Sequence, residues 1–245
     1  GQMETDYQKM LRSLYITLQQ QINELENGQV EQAEYFTMWV HQIKTPIAAL
    51  RLLLAEEEDE RSQEMWEELF SIEQYVEMAL QFSRLSAKST DFVIGEVSLD
   101  KVVREAIHKY ARLFVRKKIK LELTSIDTQV LTDEKWLEFV IEQILSNAIK
   151  YTAGGTVSVY LKEEPEQETK ELVIEDTGIG IAPEDLPRIF EKGYTGYNGH
   201  ADKRSTGIGL YLCRKIMRKL SHEITIESEI GVGTKVHLEM RSRDK

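Results

Sequence analysis

Asp176-Thr177-Gly178-Ile179-Gly180 decides the architecture of this chain through what lies on either side of it. Upstream, Leu172 and Ile174 alternate with other residues as a strand does. Downstream, Pro183-Glu184-Asp185 puts a proline and two acids where a short helix would begin. A second glycine pair, in Thr206-Gly207-Ile208-Gly209-Leu210, opens a helix expected from about Gly209 to Leu220 and carrying Leu210, Cys213, Ile216, Met217 and Leu220. Glycine lets backbone approach a ligand closely, and a helix N-terminus offers unpaired N–H groups to phosphate. A tight turn is the commoner reason for either pair taken alone.

Outward from these pairs, residues 92–245 alternate between strand and helix periodicity. Strands are expected at Ile119-Leu121-Leu123, Val157-Val159-Leu161, Leu172-Ile174, Ile224-Ile226 and Val236-Leu238-Met240. Ser98 can cap a helix bearing Val102, Val103, Ala106, Ile107 and Tyr110, and a further helix runs from about Asp133 to Lys150. On that helix Gln143, Asn147 and Tyr151 share a face, while Val140, Ile144, Leu145 and Ala148 supply the apolar side. The amide line reads either as a solvated face or as oxygen donors for a hydrated magnesium ion bridging nucleotide phosphates. The fold class of this half is α+β, with helices layered on one mixed sheet. The polar stretch Ala87-Lys88-Ser89-Thr90-Asp91 marks its boundary with what precedes it.

Before that boundary the spacing is helical throughout. Leu11, Leu14, Leu18, Ile22 and Leu25 form one stripe. Phe36, Val40, Ile43, Ile47, Leu50 and Leu54 form a second, heptad-like seam, and Met65, Leu69, Ile72, Val76 and Ala79 a third. Between the last two lies the acidic run Glu56-Glu57-Glu58-Asp59-Glu60, so a helical hairpin folding about residue 58 is expected, with His41 roughly opposite residue 76. One hairpin buries one seam per helix, and pairing into a dimeric four-helix bundle completes it. Thr37, His41, Lys44 and Thr45 share a flank beside the seam. Pro46 falls inside the helix, where it removes a backbone donor at a cost of about 3 kcal/mol and is expected to kink it.

The charge is uneven. Acids outnumber bases by 42 to 31, for a net −11, and residues 56–77 alone hold ten acids against Arg61. Residues 91–245 nearly balance, with 26 acids and 24 bases. Non-specific nucleic-acid binding is excluded, because it needs a basic face. The single cysteine, Cys213, cannot form an internal disulfide, and no Cys/His cluster has metal-ligand spacing. The stretch from Ile47 to Ala55 is interrupted by Arg51 and too short to span a bilayer, and no signal-peptide pattern is visible.

Together these blocks resemble the bacterial sensor histidine kinases. Phe36 to Pro46 looks like the phosphoacceptor box, the helix ending Asn147-Ala148-Ile149-Lys150-Tyr151-Thr152 like the N box, Asp176 to Gly180 like the first glycine box, Arg188-Ile189-Phe190 like the F box, and Thr206 to Leu210 like the second glycine box. The resemblance implies a signal-transmitting helix over 1–30, a dimerisation and phosphotransfer hairpin over 31–90, and an ATP-binding α/β sandwich of the gyrase/Hsp90/histidine-kinase type over 91–245. It implies ATP-dependent autophosphorylation of His41, transfer to an aspartate of a cognate response regulator, and a phosphatase step in which Thr45 positions water. ATP and Mg²⁺ are the implied cofactors. Asn147 would be a Mg²⁺ ligand with Gln143 as its partner, Lys150 a phosphate contact, Tyr151 a wall stacking on adenine, and Asp176 the acceptor for the adenine amino group. Gly178, Gly180, Gly207 and Gly209 would admit the nucleotide, flanked by Thr206 and Leu210. A lid is expected over about Glu191 to Ser205, ending in Lys203 and Arg204, which read either as phosphate contacts or as a solvated charge pair.

Two positions depart from the pattern. The residue after the phosphoacceptor is usually acidic and here is Gln42, which can orient the imidazole but cannot stabilise a developing imidazolium. The first N-box position, often Asn, is Gln143, one methylene longer. Glu191-Lys192-Gly193-Tyr194-Thr195-Gly196 further resembles kinases of the envelope-stress, peptide-antibiotic-sensing group. The resemblance implies the cytoplasmic portion of a bacterial plasma-membrane protein, anchored through a segment outside this chain. The competing readings are a gyrase-like clamp or anti-sigma-type serine kinase of the same sandwich fold, and a non-enzymatic signalling scaffold. The acidic segment 56–77 is either a solubilising face or a docking surface for the regulator.

Overall fold

The computed structural model describes residues 35–54, 59–86, 92–162, 169–196 and 206–241, with isolated positions before residue 35. The expected signal-transmitting helix therefore lies almost wholly outside the described residues, as do the acidic turn 55–58, Gly199, Lys203 and Arg204. The chain divides into two units, Gly1–Thr90 and Asp91–Lys245.

In the first unit α1 (35–54) and α2 (Glu60–Ser86) form the hairpin. Val40 and Ile47 pack with Leu69, Val76 and Leu80, and Ile43 and Leu54 close over them. Each fully buried side chain of this size stabilises the pair by about 1.5–3 kcal/mol. Asp59 Oδ1 accepts the Ser62 N–H at 2.6 Å and caps α2. The ion pairs Lys44–Glu77 at 2.8 Å and Arg51–Glu73 at 3.4 Å set the register. His41 consequently lies opposite about residue 80, one turn further along α2 than folding about residue 58 implies. α1 continues through Pro46.

Three expected seam members stay out of this core. Leu50, Met65 and Ile72 are each about half exposed, and Trp39, Leu52 and Leu53 also face outward. A helix with one partner buries one stripe, so the rest of the apolar surface is left for a further partner.

The second unit is built on a five-stranded mixed sheet of order β2-β4-β5-β7-β6. Its strands are β2 (Lys120–Leu123), β4 (Thr156–Lys162), β5 (Thr169–Asp176), β6 (Glu223–Glu229) and β7 (Gly233–Arg241). β2 runs parallel to β4, and every other pair is antiparallel. α3 (Leu99–Arg116) packs on α4 (Glu134–Tyr151), and α4 on α5 (Gly209–Lys219). Val102, Tyr110, Leu137, Ile141, Leu145 and Ile216 on the helices and Val157, Val159, Leu172, Ile174 and Leu238 on the strands are all fully buried. Ser98 caps α3 by accepting the Lys101 N–H at 3.4 Å, as its sequence context implies.

Two differences from expectation have clear causes. β1 (Gly95–Ser98) and β3 (Gln129–Thr132) form a small antiparallel pair that periodicity does not reveal, since each strand fully buries few apolar side chains. The segment from Pro183 does not open a helix. It runs as successive turns, with Asp185 N–H to the Ala182 carbonyl at 2.9 Å and Arg188 N–H to the Asp185 carbonyl at 2.8 Å. Pro187 lacks the N–H that a helix would direct to the Pro183 carbonyl.

Candidate active site

On the first unit, His41 and Gln42 are exposed, one residue along from fully buried Val40. Thr45 Oγ1 donates to the His41 carbonyl at 3.3 Å, so its hydroxyl sits one turn below the imidazole on the same flank. Lys44 points across to Glu77. The Gln42 amide makes no hydrogen bond with the described residues.

On the second unit, the end of α4 and the end of β5 are stitched together. The Ile179 N–H donates to the Tyr151 carbonyl at 3.2 Å, and Thr177 Oγ1 accepts the Thr156 N–H at 2.9 Å. These bonds bring Tyr151 beside Asp176 and Gly178. Asn147, Lys150 and Tyr151 are all half-buried, with the Lys150 ammonium 5.2 Å from the Tyr151 ring centroid. Gln143, on the same face of α4, is only 5% exposed.

Asp176 is the electrostatic centre of this cluster. Its Oδ1 accepts the Gly178 N–H at 2.8 Å, and the residue is only 8% exposed. Burial pushes its carboxyl up from the ordinary aspartate value, against the opposing pull of the Gly178 and Thr234 backbone N–H groups. The fully buried Thr152 hydroxyl lies near enough to lower that pKa slightly, but outside hydrogen-bonding geometry. A Cβ at Gly178 would come within 2.5 Å of the Tyr151 carbonyl and 2.7 Å of Asp176 Oδ1, so the turn tolerates no side chain there. Sequence reading passed over Thr152 and Thr177; their signal is a hydroxyl placed directly after the N box and inside the glycine box.

Thr206 to Leu210 lead into α5. Thr206 Oγ1 accepts the Ile208 N–H at 3.4 Å. Unlike α3 and α4, α5 has no side-chain cap and no acid in its first turn. Its leading N–H groups therefore keep their capacity for an anion. The Gly193 N–H donates to the Gly207 carbonyl at 2.9 Å, joining the described stretches that end at Gly196 and begin at Thr206. Gly180 has φ +71° and packs on the Glu229 carbonyl. Cys213 is fully buried, and burial pushes its thiol up, as expected of a core residue. His237 pairs with Glu171 at 2.6 Å on the sheet.

This set fits a magnesium–nucleotide pair by its chemistry. The donors are hard oxygens and backbone N–H groups, and among the described residues no cluster of three His, Cys, Asp or Glu side chains could hold a metal by itself. A Mg²⁺ ion held by one or two amide oxygens, phosphate oxygens and water needs no such cluster.

Residues 132–244 match the family described as histidine kinase-, DNA gyrase B- and HSP90-like ATPases. The chain is 35% identical over 231 residues to the sensor histidine kinase YxdK of Bacillus subtilis, covering 94% of this chain and 71% of the relative. It is also 35% identical over 198 residues to the sensor protein BceS of the same organism, covering 80% of this chain and 58% of BceS. Among solved structures, full-length ShkA in complex with AMPPNP superposes with a TM-score of 0.62 at 20% identity, over 86% of this chain and 47% of ShkA, which speaks for the fold alone. The chain belongs to the bacterial sensor histidine kinases, and its second unit carries their ATP-binding domain.

Proposed function

We propose that this chain transfers the γ-phosphoryl group of ATP to His41 and then passes it to an aspartate of a response regulator. The observation that carries the reading is the buried Asp176 carboxylate, fixed by the Gly178 N–H at 2.8 Å beside the closing turn of α4. A carboxylate held this way accepts an exocyclic amine with direction and selects adenine. Tyr151 walls the base, Lys150 and the uncapped start of α5 meet the phosphates, and Asn147 supplies an amide oxygen. Mg²⁺, when bound, neutralises phosphate charge that would otherwise repel the nucleophile. Gln143, nearly buried, is a poorer ligand than Asn147.

At the acceptor, the Nε2 lone pair of His41 forms the N–P bond as the bond from phosphorus to the β–γ bridging oxygen breaks, and ADP leaves with that electron pair. The Nδ1 proton then passes to water, with the Gln42 amide oxygen able to orient the ring but not to take the proton. Thr45, on the same flank, is placed to orient water for dephosphorylating the regulator.

The apolar surface of α1 and α2 left exposed by a single hairpin supports a homodimer. Glu73 and Glu77 are engaged by Arg51 and Lys44, so the docking charge for the regulator rests on outward acids such as Glu64. Among the described residues no helix is long and apolar enough to cross a membrane. We assign the chain to the cytoplasmic side of a membrane sensor of envelope stress or peptide antibiotics.

Incubation with γ-labelled ATP tests the central claim. Acid-labile label should appear on the chain and vanish in His41→Ala; label persisting in that variant rejects the mechanism.

A further inference from the structure

Tyr194 is gripped from two sides. Its hydroxyl donates to Asp185 Oδ1 at 2.5 Å, and the Arg188 guanidinium lies over its ring, 4.2 Å from the centroid. Arg188 is itself held by Glu191 at 3.2 Å. Asp185 Oδ2 lies against Gly196, close enough that a Cβ there would be 3.0 Å away. The bond to Asp185 pushes the Tyr194 phenol pKa up, so the hydroxyl stays a donor.

Directly beside this clasp the described stretches that end at Gly196 and begin at Thr206 meet. The Gly193 N–H reaches the Gly207 carbonyl at 2.9 Å. Gly207, at φ +64°, presses on the backbone of Gly193 and Tyr194 so closely that no side chain could be placed on it. Two residues later α5 begins at Gly209. On the far side, Arg214 of α5 lies 5.0 Å over the Phe190 ring. The described stretch around Tyr194 is thus fastened by Asp185 and Arg188 and tied through Gly193 to Gly207 at the entry of α5.

Partly exposed polar contacts of this kind add little to the stability of a fold. Their geometric consequence is larger, because they select one backbone path before a ligand arrives and reduce the ordering cost of binding.

We infer that Tyr194, clasped by Asp185 and Arg188, is a positioning residue for the phosphate end of the nucleotide. It sets the Gly193–Gly207 junction and so the direction in which the first N–H groups of α5 point. It acts through the junction and does not touch the ligand. The inference rests on the nucleotide reading given above.

Tyr194→Phe removes the hydroxyl and keeps the ring under Arg188. Titration calorimetry should show the Kd for MgATP rising roughly tenfold, about the share of one charge-assisted hydrogen bond. The Kd for adenosine, held at the Asp176 end, should stay within about twofold, with the melting temperature nearly unchanged. Asp185→Asn retains an acceptor oxygen and should fall between wild type and Tyr194→Phe. The pair Asp185→Ala with Tyr194→Phe should be no worse than Asp185→Ala alone. Wild-type protein that binds neither ligand overturns the nucleotide reading itself. Wild-type binding, with the ratio of adenosine to MgATP affinity unchanged in Tyr194→Phe, overturns the clasp alone. A lower melting temperature with both ligands weakened together assigns Tyr194 a structural role and overturns it as well.

Discussion

The Val93 N–H donates to Asp133 Oδ2 at 2.7 Å, while the other oxygen of the same carboxylate caps α4 through the Lys135 and Trp136 N–H groups at 3.0 and 3.2 Å. A single side chain therefore fastens the chain entering the second unit to the start of the helix that ends in Asn147, Lys150 and Tyr151. Phe92 adds a ring contact with Trp136 at 5.5 Å, and Lys219, the last residue of α5, lies 5.8 Å from the Phe92 ring.

Asp133→Ala removes the cap and the Val93 bond together. It should lower the stability of the second unit by about 2–4 kcal/mol, summing a lost cap and a lost hydrogen bond to a charged group. Urea unfolding followed by amide exchange in α4 measures this. A loss no larger than that of an ordinary exposed substitution would show that the two bonds are not jointly made.

Lys118 and Ser221 carry positive φ values of 54° and 60°, each just past the end of a helix. The Ile119 N–H reaches back to the Phe114 carbonyl at 3.0 Å, and the His222 N–H to the Met217 carbonyl at 2.8 Å, so each side chain occupies a left-handed turn that favours glycine. Lys118→Gly and Ser221→Gly should each stabilise the second unit by roughly 0.5–1 kcal/mol, because relief of the left-handed strain exceeds the extra unfolded-state entropy. Thermal unfolding of the single and double variants decides it, and the two effects should add.

The elements that sequence reading found are those whose side chains alternate between core and solvent over several residues. Val40, Ile43 and Ile47 marked α1, and Val157 with Val159 marked β4, because burial repeats along them. Leu50 and Ile72 fit the same pattern yet lie at the surface, since periodicity reports that a face is apolar and not which partner covers it. Pro183 promised a helix that Pro187 forbids. Each glycine pair alone reads as a tight turn and the amide line alone as a solvated face, so the candidate site was legible only in the order and spacing of its blocks together. The Tyr194–Asp185 bond and the double duty of Asp133 join residues whose types are ordinary at turns and caps, so nothing in the order of residues announces them.

Asp176, proposed to hold the adenine, costs stability at neutral pH. Its pKa is raised above the unfolded value of 3.8, so the folded chain holds its proton more tightly than the unfolded chain. Stability from this group is therefore present at low pH and is lost as pH rises through the folded pKa. Asp176→Asn keeps an acceptor oxygen for the Gly178 N–H without the buried charge. At neutral pH it should melt higher than wild type while losing affinity for ATP, and the two melting curves should converge toward pH 4. A variant less stable than wild type at pH 7 would sink the argument.

His222 titrates in the opposite sense. It is 7% exposed, neither ring nitrogen has a hydrogen-bond partner among the described residues, and burial pushes its pKa below 6.5. The unfolded chain then binds more protons between the lowered pKa and 6.5, so stability is complete above 6.5 and falls as pH drops through that window. Thermal melts between pH 5 and 7.5 should show this slope, and His222→Phe should flatten it. An unchanged slope in the variant would assign the pH dependence to other groups.

In the proposed mechanism Gln42 limits the rate at the acceptor. It is exposed beside His41, so a carboxylate at the same position has room to reach the imidazole Nδ1–H. A carboxylate would orient the ring as the amide does and would also stabilise the positive charge that grows as Nε2 attacks. Gln42→Glu should therefore raise the rate of autophosphorylation by about tenfold to a hundredfold, at or below the low end of what a positioned base contributes. The gain should appear in the rate at saturating ATP and leave the ATP concentration for half-maximal rate nearly unchanged, because residue 42 stands at the acceptor and not in the nucleotide cluster. An unchanged or lower saturated rate would mean that proton removal from His41 does not depend on its neighbour.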